Sequence, residues 1–176
     1  FVKHMWMATP DRGLAAVALG PSVVKAKVAD GTEVTIEETT DYPFDGLVRF
    51  KVNAAEAIRF PLQIRIPAWA HGATCTVKSE PGSANPVPSE KMVAGSFVTI
   101  AREFKPGDVV ELTLPMHVRS EQRYNQSAAI LRGPLYYVLK IGEQYNKLKS
   151  YHETFPVCDW EIKPTTPWNY SLQLNR

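Results

Sequence analysis

Short apolar runs that alternate with polar residues are the feature that most constrains the fold of this chain. The clearest run is Ile58 to Ala70, IRFPLQIRIPAWA, in which every second residue from Phe60 to Ile66 is large and apolar. A period of two is typical of a strand with one buried face. Pro67 cannot donate to a sheet ladder and ends the run. We therefore expect this strand at the centre of a sheet, with Ile64 in the core.

Turn-forming residues separate the other apolar runs. The chain contains 14 prolines and 10 glycines, which interrupt short apolar segments all along its length. Helical periodicity is weak and confined to Glu143–Tyr151. This spacing predicts an all-β fold, an antiparallel and jelly-roll-like β-sandwich. We expect residues 1–142 to form the sandwich and residues 143–176 to form an irregular C-terminal extension, or a linker toward a following domain.

A hairpin is predicted over Val23–Thr39, around Asp30-Gly31. A two-residue loop would place apolar residues opposite polar ones, whereas an odd-numbered loop pairs apolar with apolar. We therefore predict a three-residue loop, Asp30-Gly31-Thr32, in which Gly31 or Thr32 is left-handed. This register places Val28 opposite Val34.

A second hairpin is predicted from Phe97–Ala101 and Val109–Leu114. Between them, Lys105-Pro106-Gly107-Asp108 has proline and glycine at the central positions of a type II turn. Before this pair, the polar and proline-rich stretch Ser79–Gly95 is expected to be a long surface loop, with edge pairing near Val87.

Composition argues against two classes of partner. The formal net charge is +2, and the lysines and arginines are spread along the chain. So small a charge does not favour a nucleic-acid or membrane-surface partner. No apolar run is long enough for a transmembrane helix. The chain begins at Phe1 without a signal peptide, so we expect it to be part of a longer polypeptide.

No group of residues has the spacing of a catalytic or metal site. The histidines His4, His71, His117 and His152 are scattered, without a partner at metal-ligand or triad spacing. Cys75 and Cys158 are most simply buried apolar side chains, with a disulfide as the less favoured alternative. Asp41, Asp45 and Asp108 lie in turns. Asp41 and Asp45 could contribute to a calcium site, but two carboxylates are too few to predict one. We predict no catalytic residue, cofactor or metal.

Aromatic side chains are the best candidates for binding. They can stack on sugar rings, but in a sandwich most fill the core or pack against a neighbouring domain, which is the favoured interpretation here. Tyr42 and Phe44 lie in the turn TTDYPFDG, where large rings need a cover. The candidates for carbohydrate or interdomain contact are Tyr42, Phe44, Trp69 and Trp168, within a wider set that includes Trp6, Trp160 and Tyr170.

Six stretches, in order, resemble the region that follows the catalytic barrel in glycoside hydrolase family 127, whose type member is a β-L-arabinofuranosidase. The resemblance covers most of the chain. The stretches are LAAVALGPSVV (Leu14–Val24), TTDYPFDGLVRF (Thr39–Phe50), LQIRIPAWA (Leu62–Ala70), FKPGDVVELTLPMHVR (Phe104–Arg119), ILRGPLYYVL (Ile130–Leu139) and PTTPWNYSL (Pro164–Leu172).

The resemblance implies a non-catalytic β-sandwich that packs on an (α/α)6 barrel of the same polypeptide and stabilises it. In that family the barrel carries a zinc-bound cysteine nucleophile and catalytic glutamates. Cys75 and Cys158 match none of the catalytic positions, so no catalytic role is carried over. The alternatives are an autonomous carbohydrate-binding module and, less favoured, a small glycosidase. Burial of the candidate aromatic rings would favour the accessory domain, and a coplanar exposed row would favour the binding module.

Overall fold

The structure is a computed structural model that describes residues 2–79, 83–88 and 91–171. Its regular elements are strands, apart from 3₁₀ turns such as Val2–His4 and Tyr124–Gln126. Within the described residues, no helix has the length and apolar character needed to cross a membrane. The all-β prediction is confirmed.

Two sheets form the sandwich. The first has the strand order β1-β2-β6-β9, with β1 Trp6–Ala8, β2 Leu14–Ala16, β6 Ile58–Arg65 and β9 Phe97–Phe104. The second has the order β3-β4-β5-β10-β7-β8, with β3 Ser22–Val28, β4 Thr32–Thr40, β5 Leu47–Ala54, β7 Thr74–Lys78, β8 Asn85–Pro86 and β10 Val109–Thr113. The described pairings are antiparallel, except that β2 runs parallel to β6.

One hydrophobic core joins the two sheets. Strand β6 lies between β2 and β9, as predicted for a central strand, and Phe60, Leu62 and Ile64 are buried in that core. The first sheet meets the second directly where Trp6 packs edge-on against Phe50, with ring centroids 5.9 Å apart. The alternating pattern therefore identified the buried face correctly.

The first hairpin has a three-residue loop, but its register differs from the prediction. Val28 is opposite Thr32, not Val34, so the loop is Ala29-Asp30-Gly31. Ala29 and Gly31 have positive φ angles of 48° and 98°. Because the register moves by two residues, the apolar faces still coincide. The shift brings Lys25 into a 2.9 Å ion pair with Glu33 instead of placing it opposite Glu37.

The predicted second hairpin is wrong, although its turn exists. The backbone N–H of Asp108 donates to the carbonyl of Lys105 at 3.0 Å, which closes the turn. The two flanking strands nevertheless enter different sheets, because β9 pairs with β6 whereas β10 lies between β5 and β7. The turn is fastened to β5 instead, where Val52 exchanges backbone hydrogen bonds with Gly107 and Asp108, both at 2.8 Å. It carries the chain from one layer of the sandwich to the other.

The edge pairing predicted near Val87 is confirmed. Strand β8 pairs with β7, and the N–H of Val87 donates to the carbonyl of Cys75 at 2.8 Å. The rest of the predicted loop includes residues 80–82 and 89–90, which lie outside the described residues.

A third sheet has the order β11-β12-β13, with β11 Val118–Gln122, β12 Ala128–Arg132 and β13 Leu135–Tyr137. Its side chains are exposed or half-buried, except for Leu131, which is buried. By its internal contacts the chain divides into two compact units, one up to Tyr136 and one from Tyr137 onward.

The sequence predicts an irregular extension over residues 143–176, but the second unit contains regular structure. It contains an antiparallel hairpin of β14 Glu143–Ser150 and β15 Cys158–Pro164, with a register shift between Lys147 and Lys149. On one face, Tyr145 lies opposite Ile162 and packs edge-on against Trp160 at 6.1 Å between ring centroids. The other face is polar, and there Asn146 donates to Glu161 at 3.3 Å. The hairpin is therefore amphipathic.

Candidate functional site

The turn between β4 and β5 holds two of the predicted aromatic candidates. Thr40 organises this turn, because its hydroxyl donates to the carbonyl of Leu47 at 2.7 Å and accepts the N–H of Tyr42 at 3.0 Å. The N–H of Phe44 donates to the carbonyl of Asp41 at 2.8 Å, and the Tyr42–Pro43 peptide bond is cis. The backbone that carries both rings is thus fixed by hydrogen bonds.

Phe44 presents its ring to solvent. It is 73% exposed, which is unusual for a large apolar side chain on so well-fixed a backbone. Its carbonyl accepts a hydrogen bond from Arg132 Nη1 at 3.2 Å, which ties the turn to the end of β12. Because the backbone is already fixed, covering this ring with a partner would require little further ordering of the main chain.

Tyr42 and Trp69 lie in contact with each other and are only partly exposed. Both pack against the sandwich core. Burial raises the pKa of the Tyr42 phenol, and the positive charge of Arg65 and a hydrogen bond from Trp69 oppose that rise. Trp69 also lies against Gly133, where an added Cβ would be 3.4 Å from the indole ring and 3.1 Å from Met116. Gly133 has a positive φ of 56°, so a side chain there would be strained as well as crowded.

Trp168 belongs to the second unit. It is 62% exposed and lines a depression together with Ile141, Glu143, Ile162 and Pro164. Of the four predicted contact residues, the structure therefore brings Tyr42, Phe44 and Trp69 to one end of the sandwich. We call these three residues the aromatic end.

Carboxylates also lie near this turn. Asp41 and Asp45 line one cavity with Arg49 and Thr39. Among the residues that the structure describes, no three His, Cys, Asp or Glu side chains are grouped so that they could hold a metal ion. Asp108 is buried and supports the turn between the sheets, where its Oδ2 accepts the N–H of Lys105 at 3.0 Å.

The cysteines and histidines occupy structural or exposed positions. Both cysteines are free, and burial raises the pKa of the Cys75 thiol to about 12. A thiol with so high a pKa stays protonated at neutral pH and is a poor nucleophile. His152 Nδ1 accepts backbone N–H groups of Thr154 and Phe155 at 3.2 and 3.1 Å, which caps a turn in the second unit. The other three histidines are exposed.

Two residues that contact the aromatic end were not predicted from the sequence. Arg132 meets Phe44 across 88 positions of sequence, and Gly133 makes room for Trp69. Their only signal in the sequence is the Arg132-Gly133-Pro134 break between two apolar runs, which indicates a turn. Sequence spacing alone does not reveal which distant side chain a turn will meet.

The fold is shared with larger solved proteins. A glycoside hydrolase family 127 β-L-arabinofuranosidase from Geobacillus stearothermophilus T6 aligns with a TM-score of 0.67 and 22% identity, over 93% of this chain and 31% of that one. A protein described as a glycoside hydrolase aligns with a TM-score of 0.65 and 23% identity, over 98% of this chain and 32% of that one. A family 127 β-arabinofuranosidase aligns with a TM-score of 0.61 and 20% identity, over 89% of this chain and 29% of that one.

The chain thus spans about a third of the length of these solved proteins. At such identities the likeness concerns the fold. Among curated proteins, none is significantly similar to this chain in sequence. A family model does match residues 14–116, more than half of the chain and most of the sandwich. The chain belongs to the family of that model, the middle domain of glycoside hydrolase family 127 β-L-arabinofuranosidases.

Proposed function

We propose that this chain is the non-catalytic middle part of a longer glycoside hydrolase, in which it packs on the catalytic (α/α)6 barrel and stabilises it. The observation that carries the proposal is the family match over residues 14–116, in a chain that spans about a third of the solved glycoside hydrolases with the same fold. The parent enzyme would act on β-L-arabinofuranosides or related sugars, as the family description suggests.

The aromatic end is the surface that we assign to the barrel. Phe44 is an exposed ring on a fixed backbone, whereas Tyr42 and Trp69 pack against the sandwich core. Interface hot spots are typically such aromatic anchors, surrounded by contacts that exclude water. Asp41 and Asp45 lie in the same turn as Phe44, and Arg132 donates to the Phe44 carbonyl, so we assign these polar groups to the rim of the interface.

The second unit fits a role toward a following domain. Its hairpin has a polar face and an aromatic face, and on the latter Tyr145, Trp160 and Ile162 are all exposed. An isolated two-stranded hairpin is marginally stable in water, so an apolar layer against this face would stabilise it. We assign Trp168 to the same contact.

The experiment uses the complete polypeptide and, separately, its barrel and this chain. We expect the barrel to bind this chain in calorimetry, and Phe44→Ser to weaken binding by at least about tenfold, as for loss of an aromatic anchor. Tyr124→Ser is the control, because Tyr124 is 91% exposed in the same unit and lies outside the aromatic end. In the complete polypeptide, Phe44→Ser should lower the thermal midpoint of the barrel.

The competing functions predict different results. Binding of an arabino-oligosaccharide by this chain, lost in Phe44→Ser, would support a carbohydrate-binding module. Hydrolysis of an aryl arabinofuranoside by this chain, lost on changing Asp41 or Asp45 to Asn, would show an enzyme. If the Phe44→Ser variant and the wild-type chain bind the barrel with equal affinity, the aromatic end is not part of the interface.

A further inference from the structure

A glutamate occupies a core position of the second sheet. Glu38 follows Val34 and Ile36 on the inward face of β4, and it is 1% exposed. Its neighbours across the sheet are Ser22 on β3 and Phe50 on β5. Since the other buried positions of β4, Val34 and Ile36, are apolar, a carboxyl group here is costly unless it is hydrogen-bonded.

Both carboxylate oxygens of Glu38 accept hydrogen bonds. Oε1 accepts the backbone N–H of Gly20 at 2.9 Å, and Oε2 accepts the hydroxyl of Ser22 at 2.9 Å. The Ser22 oxygen in turn accepts the indole N–H of Trp6 at 3.0 Å. Because Trp6 belongs to β1, this chain of bonds links the first sheet and the Gly20 turn to the second sheet.

The other charged side chains on β3, β4 and β5, and those before β1, lie at the surface. They are exposed, and none contacts the carboxylate in the part of the chain that the structure describes: Lys3 and His4 before β1, Lys25 and Lys27 on β3, Glu33 and Glu37 on β4, and Arg49 and Lys51 on β5. The segment between β2 and β3 carries no charged side chain. Hydrogen bonds therefore stabilise the carboxylate without help from a cation.

Burial without a cation favours the neutral acid. It raises the pKa of Glu38, against the opposing effect of the bonds from Gly20 and Ser22. The folded chain then holds this proton more tightly than the unfolded chain does, so protonation stabilises the fold. That stabilisation is complete below the unfolded pKa of 4.5 and is lost as the pH rises through the folded value.

Protonation also changes the direction of the hydrogen bonds. A proton on Oε2 and the hydroxyl proton of Ser22 cannot both lie between the same two oxygens. Either the carboxyl O–H of Glu38 or the hydroxyl of Ser22 must therefore rotate. The indole N–H of Trp6 donates to the Ser22 oxygen, whose hydrogen bonding changes in either case. Trp6 should therefore report the protonation state of Glu38.

We propose that Glu38 is a proton-controlled clamp, by which we mean a buried carboxyl group that ties two elements to the second sheet. These elements are the Gly20 turn and, through Ser22, the ring of Trp6. The sandwich is more stable when this carboxyl group is protonated. The proposal is independent of the contact with a barrel, since its groups lie within the sandwich.

The first test compares urea unfolding of this chain and its Glu38→Gln variant between about pH 4 and pH 7.5. The amide keeps the shape of the acid form and cannot ionise. We expect the variant to have the higher unfolding midpoint at pH 7.5 and the two midpoints to converge near pH 4. The difference between the two proteins cancels the titration of all other groups. Glu37→Gln, a change at the exposed neighbouring position, should show no such convergence.

The second test follows the Trp6 indole N–H by NMR, with the Glu38 carboxyl carbon as a direct probe. The indole signal should shift with the protonation of Glu38, remain still in Glu38→Gln and still shift in Glu37→Gln. Equal pH dependence of unfolding in wild type and Glu38→Gln would overturn the clamp. A stationary indole signal in the wild-type protein would also overturn it. So would a titration midpoint at or below 4.5 for the Glu38 carboxyl carbon, a measurement that needs only the wild-type protein.

Discussion

The sandwich and the C-terminal hairpin use the same alternating pattern with different results. In β6, Phe60, Leu62 and Ile64 are buried by a second sheet. In β15, Trp160 and Ile162 alternate with polar residues in the same way, yet both are about half exposed. Alternation therefore specifies which face of a strand is apolar, while burial requires an opposing layer.

Hydrogen exchange should show the largest difference between the two regions. Amides of β10, which is paired on both sides, should exchange by the opening of the whole sandwich, whereas amides of the β14–β15 hairpin should exchange by local fraying. We expect protection of β10 to exceed that of β14 by roughly a hundredfold or more. Comparable protection, measured by NMR on this chain, would show that the hairpin has a stable core of its own.

Matched isoleucine truncations should sharpen the comparison. Ile64→Ala leaves a cavity in the core and should lower the free energy of unfolding by about 2–5 kcal/mol. Ile162→Ala, on the exposed face of the hairpin, should change it by less than about 0.5 kcal/mol. Urea unfolding of the two variants measures both values. A loss of less than about 0.5 kcal/mol for Ile64→Ala would show that Ile64 does not lie in the core.

Two glycines allow a similar comparison of backbone packing. A Cβ at Gly46 would lie 2.1 Å from the carbonyl oxygen of Leu114, so the backbone would have to move. We expect Gly46→Ala to cost about 1–3 kcal/mol, as overpacking does. At Gly142 the nearest atom is Thr165 Oγ1, which belongs to a side chain that can rotate. Gly142→Ala should therefore destabilise the chain less than Gly46→Ala in the same unfolding assay. A larger loss for Gly142→Ala would contradict this explanation.

Ion pairs should give the smallest effects. Hydrogen bonds from Lys78 at 2.6 Å and Arg49 at 3.0 Å lower the pKa of Glu111 on β10. Its stabilisation is therefore present above the ordinary pKa of a glutamate and is lost as the pH falls through the lowered value. Glu111→Gln should cost about 0.2–1 kcal/mol at neutral pH, and less in high salt.

The hairpin again supplies the matched control. Glu161 pairs with Lys163 at 3.2 Å on an exposed face. Glu161→Gln should leave the urea midpoint of the sandwich unchanged, because the hairpin contributes no strand to either sheet of the sandwich. An equal loss in both variants, or a loss in Glu111→Gln that persists in acid, would refute this explanation.

Local patterns predicted much of the aromatic end but not its assembly. TTDYPFDG indicated a turn that carries two rings, and the run through Ile66 indicated where a strand ends before Trp69. That Arg132 would fasten this turn, and that Gly133 would accommodate Trp69, depends on long-range packing. The first hairpin shows the same limit, because registers that differ by two residues bury the same face.

The sequence by itself determined the class of fold, the buried face of each main strand and the positions of the turns, because side-chain period and turn chemistry are local properties. Only the tertiary structure decided which strands pair. The strands on either side of Lys105–Asp108 have the pattern of a hairpin, yet they belong to different layers. A short turn can join paired strands or cross between sheets, and the choice depends on which partner edges the rest of the chain leaves open, here β6 for one strand and the gap between β5 and β7 for the other.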